Sequence, residues 1–311
     1  NPVLHLSAGA SSDTDYTPFI NTRGVQIRGM IDGKVGFYTY LGENQVFYPG
    51  YVRDFISENL TVPGEAFWKG FKDNGYDFFT ARGYISFQAT KHINFQFGHD
   101  RFRMGNGYRS MILSDNAPAS LFLKVDAQVW KIKYTMLIKE LTAQIQGNPS
   151  GLTGSSGYPN KFLAFHQIQV NIGKKLNLGL FESVIYSNPD PTMDARFEWK
   201  YLNPIIFYRA IEQQDGSTDN VILGLDARWL VTRGFSIYGQ FTVDELVFDE
   251  LTSGEGWWGN KFGVQAGGEW VNAFGLDHLD LQLEANLARP YAYSHDTPSG
   301  SYSHYWQPLA H

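Results

Sequence analysis

The chain has no cysteine, so a disulfide framework, a thiolate metal site and a cysteine nucleophile are all excluded, and the redox compartment stays open. Charge is sparse, with 18% charged residues, and the 25 Lys and Arg are outnumbered by 31 Asp and Glu, for a net charge of −6. No block of basic residues is present to neutralise phosphates, which argues against nucleic acid as a partner. No apolar run approaches the roughly 18 consecutive residues of a membrane-spanning helix. Gly-x-Ser-x-Gly, His-Glu-x-x-His and phosphate-loop motifs are also missing, so the sequence offers no activated nucleophile and points away from an enzyme. The chain opens Asn1-Pro2-Val3, without an initiator Met or signal peptide, implying a removed signal or a fragment. Its last residues, Trp306 to His311, do not read as a closing strand with a terminal aromatic, and further C-terminal strands are expected.

What is abundant is aromatic and flexible. The 23 Phe, 18 Tyr and 8 Trp make up 16% of the chain, Gly numbers 32, and mean hydropathy is only −0.29. That profile suits sheets apolar on one side. Along a strand successive side chains face opposite ways, so a two-faced strand alternates apolar and polar residues. The clearest case is 279–287, where Leu279, Leu281, Leu283, Ala285 and Leu287 alternate with Asp280, Gln282, Glu284 and Asn286. Residues 221–229 and 262–270 repeat the pattern, and 121–129 places Leu121, Leu123, Val125, Ala127 and Val129 on one side. Shorter versions run through Val35 to Thr39, Ile85 to Ala89 and Ile93 to Phe97.

Tight turns and long connections alternate between these segments. Asp32-Gly33, Thr90 to His92, Trp130-Lys131, Gly173 to Lys175, Thr232 to Gly234 and Phe274 to Asp277 each sit where a hairpin turn belongs. The stretches 43–80, 99–120, 145–162, 188–219 and 246–259 are long. Short turns on one side and long loops on the other describe an outer-membrane barrel. The expectation is therefore an all-β, transmembrane antiparallel outer-membrane β-barrel: one domain over residues 1–311, about twelve strands plus one at 3–9, its last strands missing. A large soluble β-sandwich also alternates along its strands, although its strands are usually nearer five or six residues. Helical pieces are expected at 49–60 and at 203–214, packed over or into the barrel mouth.

A family resemblance adds to this reading. The strand Phe95 to Arg101 (FQFGHDR), the turn-rich Gly105 to Ser110 (GNGYRS) and Leu113 to Pro118 (LSDNAP) resemble the signature of the capsule-assembly Wzi family. Tyr76 to Tyr84, Leu121 to Lys124 with Trp130-Lys131, Tyr201 to Arg209, Tyr302 to Tyr305 and Gln307 to His311 are similar to its Bacteroidota branch, which includes the gliding-motility protein RemB. The likeness covers most of residues 24–311. It implies an outer-membrane barrel of a Gram-negative bacterium that holds capsular polysaccharide at the cell surface as a lectin.

Glycan contacts are expected from Arg101, Arg103, Tyr108, Arg109, Asp115 and Asn116, whose planar donors and acceptors suit sugar hydroxyls or uronic-acid carboxylates. The same segment also reads as a loop folded into the lumen, because Gly-rich turns answer backbone demands. Trp257 and Trp258, in the Gly-flanked loop 254–259, are the best stacking candidates among loop aromatics that include Phe67, Trp68, Tyr291, Tyr293, Tyr305 and Trp306. For any single one of these a girdle or packing role is favoured over ligand contact. Acidic residues Asp244, Glu245, Asp249, Glu250 and Glu255 match no Ca²⁺ motif and read as a solvated rim. His295, His304 and His311 read as stacking or hydrogen-bonding groups. No cofactor or metal is expected.

Two roles compete on these grounds. One is a non-enzymatic anchor that binds surface or capsular polysaccharide, in contact with outer-membrane lipid and lipopolysaccharide. The other is a structural or accessory subunit of a surface machine for gliding, secretion or lipoprotein docking, bound to other outer-membrane proteins or lipoproteins. A passive porin is a third reading, in which inward Arg28, Lys124, Asp126, Asp226, Arg228, Glu269 and Glu284 line a pore; equally, these groups pair across a filled one.

Overall fold

In the computed structural model, residues 1–143, 158–188, 195–204, 219–245, 247, 257 and 259–310 are described. The alternating segments form strands: β1 (Pro2–Ala8), β2 (Phe19–Ile31), β3 (Val35–Phe47), β4 (Lys69–Phe71), β5 (Gly75–Gln88), β6 (Ile93–Asp100), β7 (Ser120–Val129) and β8 (Ile132–Thr142). They continue as β9 (Asn160–Ile172), β10 (Leu176–Tyr186), β11 (Asn220–Thr232), β12 (Phe235–Glu245), β13 (Lys261–Trp270) and β14 (Leu281–Ala288). A small hairpin, β15 (Ser303–His304) and β16 (Gln307–Pro308), lies apart from this sheet. Except for short β4, which pairs only with β5, each strand pairs antiparallel with its neighbours in chain order.

The hairpins fall at the tight turns. Asp32 and Gly33 take φ of 51° and 63° between β2 and β3, and Trp130 takes 53° between β7 and β8. Positive φ suits the turn to the twist of the strands it joins. The expected helix at 49–60 is α1 (Gly50–Asn59), closed by Leu60 in the left-handed region. The other expected helix, 203–214, lies outside the described residues beyond Pro204.

Each strand turns one face outward and one inward. On β14, Leu283 is 82% exposed, while Glu284 beside it faces in. The outward set also includes Ile27, Ile85, Phe97, Leu121, Leu178 and Leu225, all exposed. Near one end of β8 to β11 this face is covered instead: Ile138, Ala164, Val184 and Val221 pack with Ala195 and Tyr201. The main core lies on the inward side. Leu137, Phe165, Phe181 and Ile222 meet Ile112 and Leu113 of the β6–β7 connection and Tyr302 and Leu309 of the C-terminal segment.

Those inserted segments require a curled sheet. Phe102 packs edge-on against Phe122 of β7, with centroids 4.4 Å apart. Six residues later the Tyr108 N–H is held by Glu284 of β14 at 2.6 Å. Six extended residues span about 20 Å, while seven inter-strand steps on a flat sheet cover about 34 Å. Gly105 and Gly107, with φ of 104° and 106°, also keep the connection from being fully extended. The sheet therefore bends toward the segment between β6 and β7.

The curl stops short of closure, which corrects the expected transmembrane barrel. Pairing runs as an open path from β1 to β14, and the two end strands do not pair with each other among the described residues. The reason is physical. Period-two alternation and hairpin spacing report a two-faced antiparallel sheet, and an open meander satisfies both as well as a barrel does. Closure depends on one non-local pairing between first and last strands, to which neither signal responds.

Candidate functional site

The connection from residue 101 to 119 crosses the inward face of the sheet as a strap. Its ordering starts with glycine. At Gly105 a Cβ would collide with Nε2 of Gln240, and at Gly107 it would lie 2.6 Å from Oε1 of Gln265 and 2.7 Å from Oε2 of Glu284. Both residues also hold positive φ that side chains rarely adopt. Only glycine lets the strap approach the sheet this closely.

The strap's backbone is bound by side chains of four adjacent strands. Asp226 of β11 accepts from the Asn106 N–H at 3.0 Å and from its Nδ2 at 2.8 Å. Gln240 of β12 donates to the Asn106 carbonyl at 2.5 Å and accepts from the Met111 N–H at 2.8 Å. Gln265 of β13 donates to the Arg109 carbonyl at 2.8 Å. Glu284 of β14 accepts from the N–H groups of Tyr108 at 2.6 Å and Arg109 at 3.1 Å. Beneath the strap, Tyr293 and Tyr302 donate their hydroxyls to the carbonyls of Met111 and Ile112 at 2.7 and 2.9 Å.

Electrostatics fit these roles. Burial opposes ionisation of Glu284, but donors from Asn286, Tyr238 and the Tyr108 and Arg109 backbone outweigh it and hold its pKa below the ordinary carboxylate range. Asp226 is more deeply buried, and desolvation raises its pKa despite the Asn106 hydrogen bonds.

Between strap and sheet lies a cavity of about 650 Å³, within the roughly 300–1,000 Å³ typical of ligand sites. The strap contributes Arg103, Tyr108, Arg109, Asp115 and Asn116, and the sheet contributes Arg228, Tyr238, Glu269 and Gln282. Tyr108 is 74% exposed. Arg228 is paired with Glu269 at 2.6 Å and also donates to Ser236. Tyr238 is fixed from beneath, donating to Glu284 and accepting from Gln282, both at 2.8 Å.

Five of the eight residues singled out from the sequence therefore line one cavity. Arg101 does not line it. Its guanidinium is held by Glu65 at 2.7 Å and by the Gly64 carbonyl, and it faces a neighbouring cavity. Trp257 is half-buried away from this site: its ring lies over Gly259, and its carbonyl accepts from Arg289 at 3.1 Å. Trp258 lies outside the described residues. Tyr238 and Gln282 were not singled out as site residues, although the wet face of 279–287 contained Gln282; the missing signal was which strands the strap would lie against.

Other groups take structural places. Phe67 meets Tyr305 edge-on at 5.3 Å, and Trp68 meets Tyr76 at 4.7 Å. His304 is buried, accepting from the Thr142 N–H at 2.9 Å, and desolvation lowers its pKa well below the usual value. Asp244 accepts from the Tyr293 N–H at 3.1 Å, and Glu245 pairs with Lys261 at 3.5 Å. Asp249, Glu250, Glu255 and His311 lie outside the described residues. Among the described residues no group of three or more His, Asp or Glu is placed to hold a metal.

Comparison with protein-family models and with curated proteins finds nothing that matches this chain. With the sheet open, this overturns the resemblance to the Wzi family and its RemB-containing, gliding-motility branch. The quoted motif has a local cause instead. Gly105 and Gly107 answer steric demands, the Ser114 hydroxyl accepts from the Asn116 N–H at 3.1 Å, and the Ser114 N–H donates to the Leu309 carbonyl at 2.6 Å.

Proposed function

We propose that this chain is a non-enzymatic binding protein that holds a surface polysaccharide in the cavity between strap and sheet, at the outer membrane of a Gram-negative bacterium. The observation that carries the reading is the exposed Tyr108, which lines one cavity with Arg103 and Arg109 over a polar floor. An aromatic face stacks on the C–H side of a sugar, while planar donors meet hydroxyls or carboxylates. The cavity walls are fixed by hydrogen bonds made before any ligand arrives, so little ordering cost is left for binding. The outward apolar face favours contact with lipid acyl chains, since an exposed apolar surface this extensive calls for a nonaqueous partner.

The test is a glycan array probed with the purified chain and with a Tyr108→Ala, Arg109→Ala variant. Retention of surface polysaccharides by the parent and their loss by the variant is expected. Equal retention by both would move the binding elsewhere, and no retention by the parent would end the reading.

A second reading, an accessory subunit bound to other outer-membrane proteins, is favoured by the outer edges of β1 and β14, which are unpaired among the described residues, since such edges accept strands from other chains. Co-purification in mild detergent separates the two. Stoichiometric protein partners without carbohydrate support the subunit role.

A further inference from the structure

The inward face of β2, β3 and β5 sets two arginines among three tyrosine rings. Register places them together: Arg28 lies directly opposite Tyr38, Tyr38 opposite Tyr84, and Tyr40 opposite Arg82. None of them lines the strap cavity. Gly36 and Gly42 flank the two rings along β3 on the same face, and Tyr40 lays its hydroxyl over Gly42, where a Cβ would meet it at 2.8 Å. We infer that this face is a second binding site, which takes a ring-bearing oxyanion of the sugar-phosphate class, its charge held by Arg82 and Arg28 and its ring laid on Tyr38.

Arg82 carries the inference. Its guanidinium lies over the Tyr40 ring, 4.9 Å from the centroid. None of its donors makes a hydrogen bond or an ion pair among the described residues, and its Nε is buried without a partner. A half-buried guanidinium with five unused donors is costly as it stands. Contact with a ring face fixes the plane of the group while its edge stays free for a planar or tetrahedral oxyanion. Arg28 is exposed and also has no ion-pair partner among the described residues. The nearby carboxylates are engaged elsewhere. Asp100 accepts from the Arg101 N–H at 2.8 Å and is attracted to the buried Lys139, while Glu65 pairs with Arg101 at 2.7 Å. Two such cations suit a phosphate monoester, which carries about two negative charges at pH 7.

Two inter-strand steps and an offset of two residues put the Cα atoms of Arg28 and Arg82 roughly 12 Å apart on a flat sheet. Both side chains are long enough to meet a ligand between them, and the curl toward this face brings them closer. Tyr38 is propped from behind: its ring meets Tyr84 at 5.4 Å, and Tyr84 packs against the main core. A ring already held in place offers a stacking face to the C–H side of a sugar with little further ordering.

Calorimetry would compare glucose 6-phosphate, inorganic phosphate and glucose on the parent and on Arg28→Ala, Arg82→Lys, Tyr38→Ala and Tyr108→Ala. The parent is expected to bind glucose 6-phosphate more tightly than inorganic phosphate, with no measurable affinity for glucose. Each arginine substitution should weaken glucose 6-phosphate roughly tenfold or more; Arg28 is exposed, so its loss leaves the fold intact, and Arg82→Lys keeps the charge while removing the fork. Tyr38→Ala should bring glucose 6-phosphate down to the affinity of inorganic phosphate, and Tyr108→Ala should change nothing. No binding of either phosphate, or binding indifferent to both arginines, would overturn the site. Glucose bound as tightly as its phosphate would overturn the oxyanion class, and inorganic phosphate as tight as glucose 6-phosphate would overturn the ring contact. Loss of binding with Tyr108→Ala would return the ligand to the strap cavity and overturn a separate site. The glycan reading of the strap cavity stands or falls by its own array.

Discussion

Replacing Gly107 with alanine tests whether the strap's seat demands glycine, and Gly33→Ala supplies the control. Both residues have positive φ, but a Cβ at Gly33 would meet nothing within 4 Å. Its cost is the left-handed backbone alone, about 1–2 kcal/mol. At Gly107 the backbone cost is about 1–3 kcal/mol, and the new Cβ falls 2.7 Å from Oε2 of Glu284 and 2.8 Å from Cε2 of Tyr238. The Tyr238 ring is 6% exposed and has little room to move. Glu284 can swing away only by releasing donors it now holds, namely Tyr108 N–H, Arg109 N–H, the Tyr238 hydroxyl and Asn286 Nδ2. Losing one such charge-assisted bond costs about 1.5–3 kcal/mol. The total for Gly107→Ala is then about 2.5–6 kcal/mol, against about 1–2 kcal/mol for Gly33→Ala. Urea unfolding of the two variants beside the parent measures both. Because Gly107→Ala already spoils the Glu284 contacts, adding Glu284→Gln should cost less in that background than alone. Equal destabilisation by the two alanine substitutions, within about 0.5 kcal/mol, would refute the close-approach argument.

Three further outcomes follow from the same geometry. Tyr302→Phe should cost about 1–3 kcal/mol, because the lost hydroxyl donates to the Ile112 carbonyl at 2.9 Å and accepts from Ser183 at 3.2 Å, both in the core; a change near zero in thermal unfolding would count against the strap's anchoring from beneath. Burial pulls the Lys161 pKa down from 10.5 to about 7, so between those values the unfolded chain binds the extra proton and stability rises with pH. Relative to Lys161→Met, the parent should gain about 1 kcal/mol per pH unit between pH 7.5 and 9, and parallel pH profiles would show that Lys161 is not desolvated. The chain should float with phosphatidylethanolamine and phosphatidylglycerol vesicles in a density gradient, and lysine substitutions at Ile85, Phe97 and Leu283 should weaken this; a parent that stays monodisperse without lipid or detergent would sink the acyl-chain contact.

How much of this was legible in the sequence depends on how local each feature is. The strands β7, β11, β13 and β14, with their outward faces, follow from alternation at Leu121 to Val129, Val221 to Trp229, Phe262 to Trp270 and Leu281 to Leu287. The hairpins follow from turn residues such as Asp32-Gly33, and helix α1 from apolar spacing at Val52, Phe55 and Ile56. Closure was not legible, because it rests on pairing between residues nearly 300 positions apart. The strap's residues were legible as a cluster with unusual glycines, but its seat was not. Nothing near Asn106 in sequence points to Asp226, and nothing near Tyr108 points to Glu284.

That seat bears on the inward charges, which would also suit an aqueous pore. Asp226 and Glu284 are committed to strap N–H groups, Arg228 pairs with Glu269 at 2.6 Å, and Lys124 pairs with Asp126 at 2.7 Å. Asp226 and Glu284 are thus spent on the strap, while Arg228 with Glu269 and Lys124 with Asp126 pair on the inward face of the sheet. The division of labour along the strap follows from this. Its backbone between Asn106 and Met111 is matched to the sheet, so the exposed side chain of Tyr108 lines the cavity without having to hold the strap in place. Substituting that side chain should therefore alter binding while stability changes little, whereas substituting Gly107 or Glu284 should alter both. A strap whose stability fell as far with Tyr108→Ala as with Gly107→Ala would be seated by its side chains, and the separation of scaffold from binding surface would fail.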